Sequence, residues 1–266
     1  MIIFDYIVQN YVLLIMIIGM TILTIFDVFL DKRMLRRLRL TLILLFAMTV
    51  FDYLEVYMST LGPVESAVQL RTIFAAACYT IRPAIVMLLV FIVYPNAHWA
   101  VNIPVAVNLV VSFSSLFSDI AFTITPDNTF RRGTLGYTPY VVIMLYIALL
   151  FMVSFRVLAK RSFEEGIIIM FLALGGCIAA FLTSENYGEI VNLTYGAEIL
   201  LYYLYIYGQY TKRDTLTGLY NRQSFYSDMD RHRGTITGII SIDMNELKWM
   251  NDNFGHNSGD KALKTV

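Results

Sequence analysis

The chain has 266 residues, 58% of them hydrophobic, 15% charged and 14% aromatic, with a formal net charge of zero. Soluble domains carry about 45–50% apolar and about 25% charged residues, so this composition excludes an ordinary cytosolic globule, a disordered regulator and a secreted disulfide scaffold. The balanced charge gives no basic field to attract nucleic acid, and Cys78 and Cys177 sit in apolar runs, where a small buried thiol is the plain reading.

Met1 to Tyr6 lack the basic start of a signal peptide, so the first apolar stretch is expected to stay in the protein. Seven segments have the length and apolarity that a bilayer of about 20 helical residues demands: 9–30, 38–60, 73–94, 98–122, 140–159, 166–184 and 189–210. The sequence therefore predicts an all-α, multi-pass membrane bundle of seven helices over 1–210, with the lipid bilayer as its first partner. Basic residues set the orientation. Lys32, Arg33, Arg36, Arg37 and Arg39 crowd the first loop, Arg156, Lys160 and Arg161 the fifth, and Lys212 and Arg213 follow the seventh span. The alternate loops hold Arg71, then Arg131 and Arg132, then none in Ser184–Glu189. This asymmetry places the N-terminus outside and the C-terminal part in the cytoplasm of a cell membrane. Tyr202, Tyr203, Tyr205, Tyr207 and Tyr210 suit the inner interface, where amphipathic rings sit at headgroup depth.

Several ionisable residues fall within the spans, where a charge costs about 2.5–3.5 kcal/mol even on a lenient scale and normally faces the bundle interior with a partner. Asp52 and Glu55 share a face of the second segment, Arg82 sits beside Pro83 in the third, Asp119 lies toward the outer end of the fourth, and Glu198 lies near the middle of the seventh. Two readings stay open: a structural pairing of Arg82 with Asp52, Glu55 or Glu198, or a polar pocket that binds an unknown signal ligand and acts as a switch. A transporter would want broken helices and paired repeats; Pro83 and Pro104 alone do not supply them.

After Tyr210 the texture becomes polar and turn-rich. A Thr-Gly turn at 217–218 precedes a short helix over Asn221–Arg231. Thr235–Ile242 is predicted as a strand ending in Asp243, which puts a carboxylate where α/β sheets bind ligands. Leu247–Asn253 reads as helix, Gly255–Asp260 as a loop, and another helix starts at Lys261. Taken singly, Asp243 is more often a helix cap than a metal ligand, and three histidines make no metal cluster.

Together, Asp214-Thr-Leu-Thr-Gly-Leu-Tyr-Asn-Arg222, Ile242-Asp-Met-Asn-Glu-Leu-Lys248, Asn251-Asp252, Phe254-Gly255-His256 and Gly259-Asp260 resemble the N-terminal part of the GGDEF domain, the diguanylate cyclase family. The resemblance covers the stretch from Arg213 onward and implies the start of an α/β, nucleotidyl cyclase-like domain over 211–266. The family joins two GTP molecules into cyclic di-GMP with release of two pyrophosphates, and works as a homodimer of catalytic domains. By the resemblance, Asp243 and the backbone carbonyl of Met244 would ligate Mg²⁺, Lys248 would contact the triphosphate, and Asn251 and Asp260 would read the guanine edge. Metal-assisted phosphoryl transfer asks the ions to neutralise the phosphates and to activate the attacking hydroxyl, while the protein supplies geometry.

Two departures stand out. Asn245 occupies a place where many members have aspartate, and no Gly-Gly-Asp/Glu-Glu-Phe run, with its second metal carboxylate, occurs in the 266 residues. The chain by itself is therefore expected to be a fragment without cyclase activity. Three functions follow: a membrane-bound, signal-responsive diguanylate cyclase; a receptor whose GGDEF-like region binds without catalysis; or a membrane sensor or transporter domain acting alone. Thr211–Asp214 leave no room for a long relay and are not Gly/Ser-rich. Movement of the seventh helix is thus expected to pass straight to the output region, with Glu198 facing Arg82 or its neighbours as the lever.

Overall fold

The computed structural model describes residues 3–160, 163–184 and 188–265. Arg161 of the fifth loop, residues 185–187 of the sixth and Val266 lie outside the described residues, as do the side chains of Arg156 and Lys160. The chain divides into two compact units, Met1–Leu204 and Tyr205–Val266.

Helices form at the places the apolar segments predict: α1 (Ile3–Phe26), α2 (Lys32–Thr60), α3 (Glu65–Val93), α4 (Ile103–Phe113), α5 (Thr138–Lys160), α6 (Phe163–Ser184) and α7 (Gly188–Thr211), the first unit ending within α7 at Leu204. Short 3₁₀ turns flank α4 at Trp99–Asn102 and Ser114–Leu116. Among the described residues, five helices are long and apolar enough to cross a membrane: α1, α2, α3, the Trp99–Leu116 helix and α5. Within α6 the described apolar stretch is Gly166–Ile178, and α7 is interrupted by the polar residues discussed below.

Helix α1 buries one apolar stripe and leaves another uncovered. Tyr6, Asn10, Leu13, Ile17, Met20 and Thr24 recur every three or four residues and are buried, while Phe4, Ile15 and Ile18 on the other faces are each more than half exposed. A contiguous apolar surface of that kind is a lipid or protein contact surface, not a wet one.

The basic cluster expected in the first loop lies instead in the first turns of α2, which starts at Lys32 behind an Asp31 cap that accepts from the Arg33 amide at 3.2 Å. Arg37 donates to the carbonyls of Phe91 and Pro95 at the end of α3, and Arg39 donates to the Thr24 carbonyl at the end of α1. These cations satisfy carbonyls that helix ends leave without donors.

Pro83 lies inside α3 and cannot donate to the Tyr79 carbonyl four residues back. Asn108 of α4 takes that role, its Nδ2 donating to Tyr79 O at 2.9 Å. The fourth segment is shorter than its apolar run suggests. Asp119, expected at the outer end of the span, stands in an exposed bend after the last 3₁₀ turn, because the chain leaves the helix to form a hairpin.

That hairpin pairs β1 (Phe122–Ile124) with β2 (Phe130–Arg132), antiparallel, with Thr123 opposite Arg131. Ala121, Phe122 and Ile124 pack with Ala75, Ala76 and Tyr79 of α3. At its tip Asn128 adopts φ 61° and is buried; its amide donates to the carbonyls of Met58 and Gly62 at 2.9 and 3.0 Å. Asparagine is among the few side chains that tolerate this left-handed geometry. Cys78 is a buried free thiol and Cys177 a half-buried one.

The second unit begins with the last residues of α7, followed by a turn in which Arg213 pairs with Tyr220 across an antiparallel bridge and Gly218 takes φ 72°. Helix α8 (Arg222–Arg231) follows where expected, capped by Asn221, whose side chain accepts from the Ser224 amide at 2.9 Å. Thr235–Ile242, predicted as a strand, does not form one. Among the described residues of this unit there is no second strand to pair with it, and a lone extended segment is not stable as β structure; Ile240 is 88% exposed. Helix α9 (Leu247–Phe254) ends at Gly255 with φ 80°, and α10 (His256–Thr265) begins at once. The loop expected over Gly255–Asp260 is thus a single glycine corner, since the positive φ of Gly255 reverses the chain without further residues.

Candidate functional site

Two sets of residues carry chemistry, one in each unit. In the helical unit, Arg82 takes Asp52 as its partner, Nη2 to Oδ1 at 3.2 Å, with both side chains 12% exposed. Asn192 of α7 completes the aspartate, its Nδ2 donating to Oδ2 at 2.7 Å. Glu55 pairs with Arg71, 3.7 Å away, and Arg71 also donates to the carbonyl and side chain of Asn128 at the hairpin tip. The two carboxylates of α2 thus use different arginines, and each pair reaches a third element, α7 in one case and the hairpin in the other.

Glu198 departs from expectation. Its side chain is buried, at 4% exposure, yet among the described residues it forms no ion pair, and its Oε1 has no hydrogen-bond partner. Arg82 is already neutralised by Asp52, so a direct Glu198–Arg82 lever is not formed. Tyr195, three residues before Glu198 on α7, is fully buried. Glycine at 175 in α6 gives the carboxylate its room, because a Cβ there would collide with Glu198 Oε1. Of the interface tyrosines, Tyr202 and Tyr203 are buried, and Tyr203 donates to Asp27 Oδ2 at 2.9 Å; Tyr210 is exposed.

The sequence reading did not single out Asn192 or Asn128, and it placed Arg71 in a loop, whereas Arg71 lies within α3. Asn192 lies 140 residues from its partner Asp52, a distance over which residue spacing carries no signal. Asn128 was legible in principle, being a turn-favouring residue in the short run between two β-type segments.

In the second unit the opening turn is held by Asp214. Its Oδ1 accepts from the amides of Leu216 and Thr217, at 3.1 and 2.8 Å, and from the Thr217 hydroxyl at 2.9 Å. These bonds, the Thr217 amide foremost, hold the carboxyl below its ordinary value of 3.8. Arg213 closes the turn by donating to the Gly218 carbonyl at 2.7 Å.

Asp243 is exposed just before α9, with its Oδ1 accepting from the Met244 amide at 3.0 Å. Glu246 then adopts φ 59°, a left-handed conformation that costs a non-glycine residue about 1 kcal/mol, and α9 begins at the next residue. Lys248 projects from the exposed first turn of α9. Asn251 lies on α9 against α10: Gly259 is buried there, and a Cβ on it would strike Asn251 Oδ1. Asp260, exposed, is the next residue. The glycine corner and the close approach at Gly259 therefore bring Asn251 and Asp260 to neighbouring helices. Asp243 and Lys248 precede them on the same short run.

The described residues contain no group of three or more His, Cys, Asp or Glu side chains able to hold a metal ion by themselves. Mg²⁺ does not require one, since it is commonly held by one or two carboxylates plus substrate phosphates. An exposed Asp243 carboxylate fits one such ion.

Residues 211–266 match the family model described as diguanylate cyclase, GGDEF domain. Curated relatives include the diguanylate cyclase VdcA of Vibrio cholerae, 40% identical over 55 residues, covering 20% of this chain and 16% of that protein. Diguanylate cyclase DgcP of Escherichia coli is 31% identical over 113 residues, 40% of this chain and 30% of its own length. The cyclic di-GMP phosphodiesterase NbdA of Pseudomonas aeruginosa is 38% identical over 64 residues, 22% of this chain and 8% of that protein. The chain thus spans under a third of each of these relatives. No solved structure gives a significant match. A largely helical unit with long apolar helices is followed, at residues 211–266, by a GGDEF-domain segment similar to those of diguanylate cyclases.

Proposed function

We propose that the chain is part of a membrane-bound, signal-responsive diguanylate cyclase. Residues 1–210 act as a seven-helix membrane sensor with the N-terminus outside, and 211–266 begin the cytoplasmic GGDEF output domain. The observation that carries this reading is the family match over 211–266, in a segment that retains Asp243, Lys248, Asn251 and Asp260. In this reading Asp243 and the Met244 carbonyl hold Mg²⁺, which neutralises the phosphates of GTP when bound. Lys248 adds a compact positive charge at the triphosphate. Asn251 and Asp260 select guanine, Asp260 accepting from its ring N–H and amino groups. A homodimer supplies the second GTP.

A second reading keeps the binding role and drops the turnover: a receptor whose GGDEF region is not catalytic. It is favoured by the relative named as a phosphodiesterase.

Reading the DNA past the Val266 codon and assaying the encoded protein for cyclic di-GMP separates the two. An in-frame Gly-Gly-Asp/Glu-Glu-Phe sequence, with turnover of GTP that Asp243→Ala abolishes, supports the cyclase. GTP binding without turnover supports the second reading. The 266-residue chain alone is expected to make no product, because two-metal phosphoryl transfer needs ligands for both ions.

A further inference from the structure

We propose that the face of α7 carrying Asn192, Tyr195 and Glu198, beside the Asp52–Arg82 pair, is a binding site for a small organic amine. The three residues follow at intervals of three, so they lie along one side of the helix. They are 0%, 0% and 4% exposed, and each keeps a buried atom without a hydrogen-bond partner among the described residues: Asn192 Oδ1, the Tyr195 hydroxyl and Glu198 Oε1. Buried polar groups in folded proteins are nearly all satisfied. Three successive exceptions on one face mark a place where an occupant supplies the missing bonds.

The orphaned atoms define the occupant's chemistry. Asn192 has committed its Nδ2 to Asp52, which leaves its oxygen to accept. A carboxylate at Glu198 only accepts, and Tyr195 can do either. The occupant must therefore donate. Charge agrees: Asp52 is matched by Arg82 and Glu55 by Arg71, while Glu198 is left without a cation among the described residues. Tyr195 between them offers an aromatic surface that also favours an ammonium group.

Spacing then selects between a metal ion and an organic cation. Asn192 and Glu198 are six residues apart, about 9 Å along the axis at 1.5 Å per residue. Oxygen ligands of Ca²⁺ or Mg²⁺ sit at about 2–2.6 Å, so one ion does not serve both, whereas a short linear amine reaches from one to the other. The absence of a side chain at Gly175 lets Glu198 Oε1 lie against α6. The inference rests on the reading that the helical unit receives a signal.

The test uses the full 266-residue chain in lipid nanodiscs, with thermal unfolding followed by intrinsic fluorescence. Putrescine and methylamine are the probes, and sodium chloride at matched ionic strength is the contrast. The expected result is a saturable rise in Tm with amine and none with sodium. Glu198→Gln, which keeps the side chain's shape, weakens binding about tenfold or more, as loss of a charged hydrogen bond does. Tyr195→Phe, which removes only the hydroxyl, weakens it less, and Asp243→Ala leaves it unchanged. Circular dichroism identifies the folded variants, and Tyr195→Phe decides if Glu198→Gln is not among them. The proposal is overturned if neither amine shifts the folded wild type, if sodium gives the same shift, or if folded Glu198→Gln binds as well as wild type. Cyclic di-GMP synthesis is not read, so a negative result here leaves the cyclase reading standing, and a failed cyclase assay leaves this site untouched.

Discussion

Asn108 of α4 donates its side-chain amide to the Tyr79 carbonyl of α3 at 2.9 Å, filling the place that Pro83 vacates in the helical ladder. In an apolar surround each unpaired backbone group costs several kcal/mol, so the proline and the asparagine are one device spread over two helices.

Asn108→Leu is expected to destabilise the helical unit by about 1–3 kcal/mol, because the Tyr79 carbonyl is left buried and bare. Pro83→Ala returns a backbone donor to that carbonyl, and the double variant should recover most of the loss. Unfolding in mild detergent, run as a double-mutant cycle, measures the coupling; additive effects would disprove the shared role.

The Asp52–Arg82 pair makes a second expectation. Removing one partner of a buried pair costs about 3–5 kcal/mol, since the other charge stays uncompensated, whereas replacing both with apolar residues is often close to neutral. Arg82→Met should therefore be worse than Arg82→Met with Asp52→Leu, scored by detergent unfolding. Asn192, which also donates to Asp52, limits the recovery in the double variant.

Asp214 sets a pH dependence for the opening turn of the second unit. Its carboxyl is held below the ordinary 3.8 by the Thr217 amide and hydroxyl. A depressed folded-state value means the ionised form stabilises the turn: the contribution is present above 3.8 and is lost as pH falls below it through the folded value. NMR titration of the Thr217 amide should show the bond weakening below pH 3.8, and Asp214→Asn should flatten that titration.

Gly259→Ala separates structure from selection at the α9–α10 contact. The new methyl would meet the end of the Asn251 side chain, a group that can rotate away. Helicity by circular dichroism should hold, while the Asn251 amide resonances shift. In a protein carrying the complete domain, preference for GTP over ATP should fall, as it does when a base-reading hydrogen bond is lost. Unchanged Asn251 resonances would contradict the contact.

What the sequence made legible divides by range. The helices of the first unit were readable because apolar runs of this length have few other fates. Arg82 needed a partner on energetic grounds, and Asp52 was one of three candidates. The choice among them depended on how α2, α3 and α7 pack, which no local pattern states. The same holds for Glu198, which has no cation among the described residues because Arg82 is already taken. Thr235–Ile242 has the composition of a strand, yet β structure is a property of pairs, and composition does not reveal whether a partner is at hand. The loop over Gly255–Asp260 failed for the opposite reason. Asn257, Ser258 and Gly259 look like loop formers, but Gly259 is selected by close helix packing and not by a turn.

Asn221 spends both ends of one amide at a single joint. Its oxygen starts α8 by accepting from Ser224, and its nitrogen finishes α7 by donating to the Thr211 carbonyl at 2.8 Å. Aspartate would keep the first bond and forfeit the second, so Asn221→Asp cuts the hinge pin without dismantling either leaf. A twist arriving along the last turn of α7 has this side chain as a handle, and spontaneous deamidation at this position would loosen the grip in the same way.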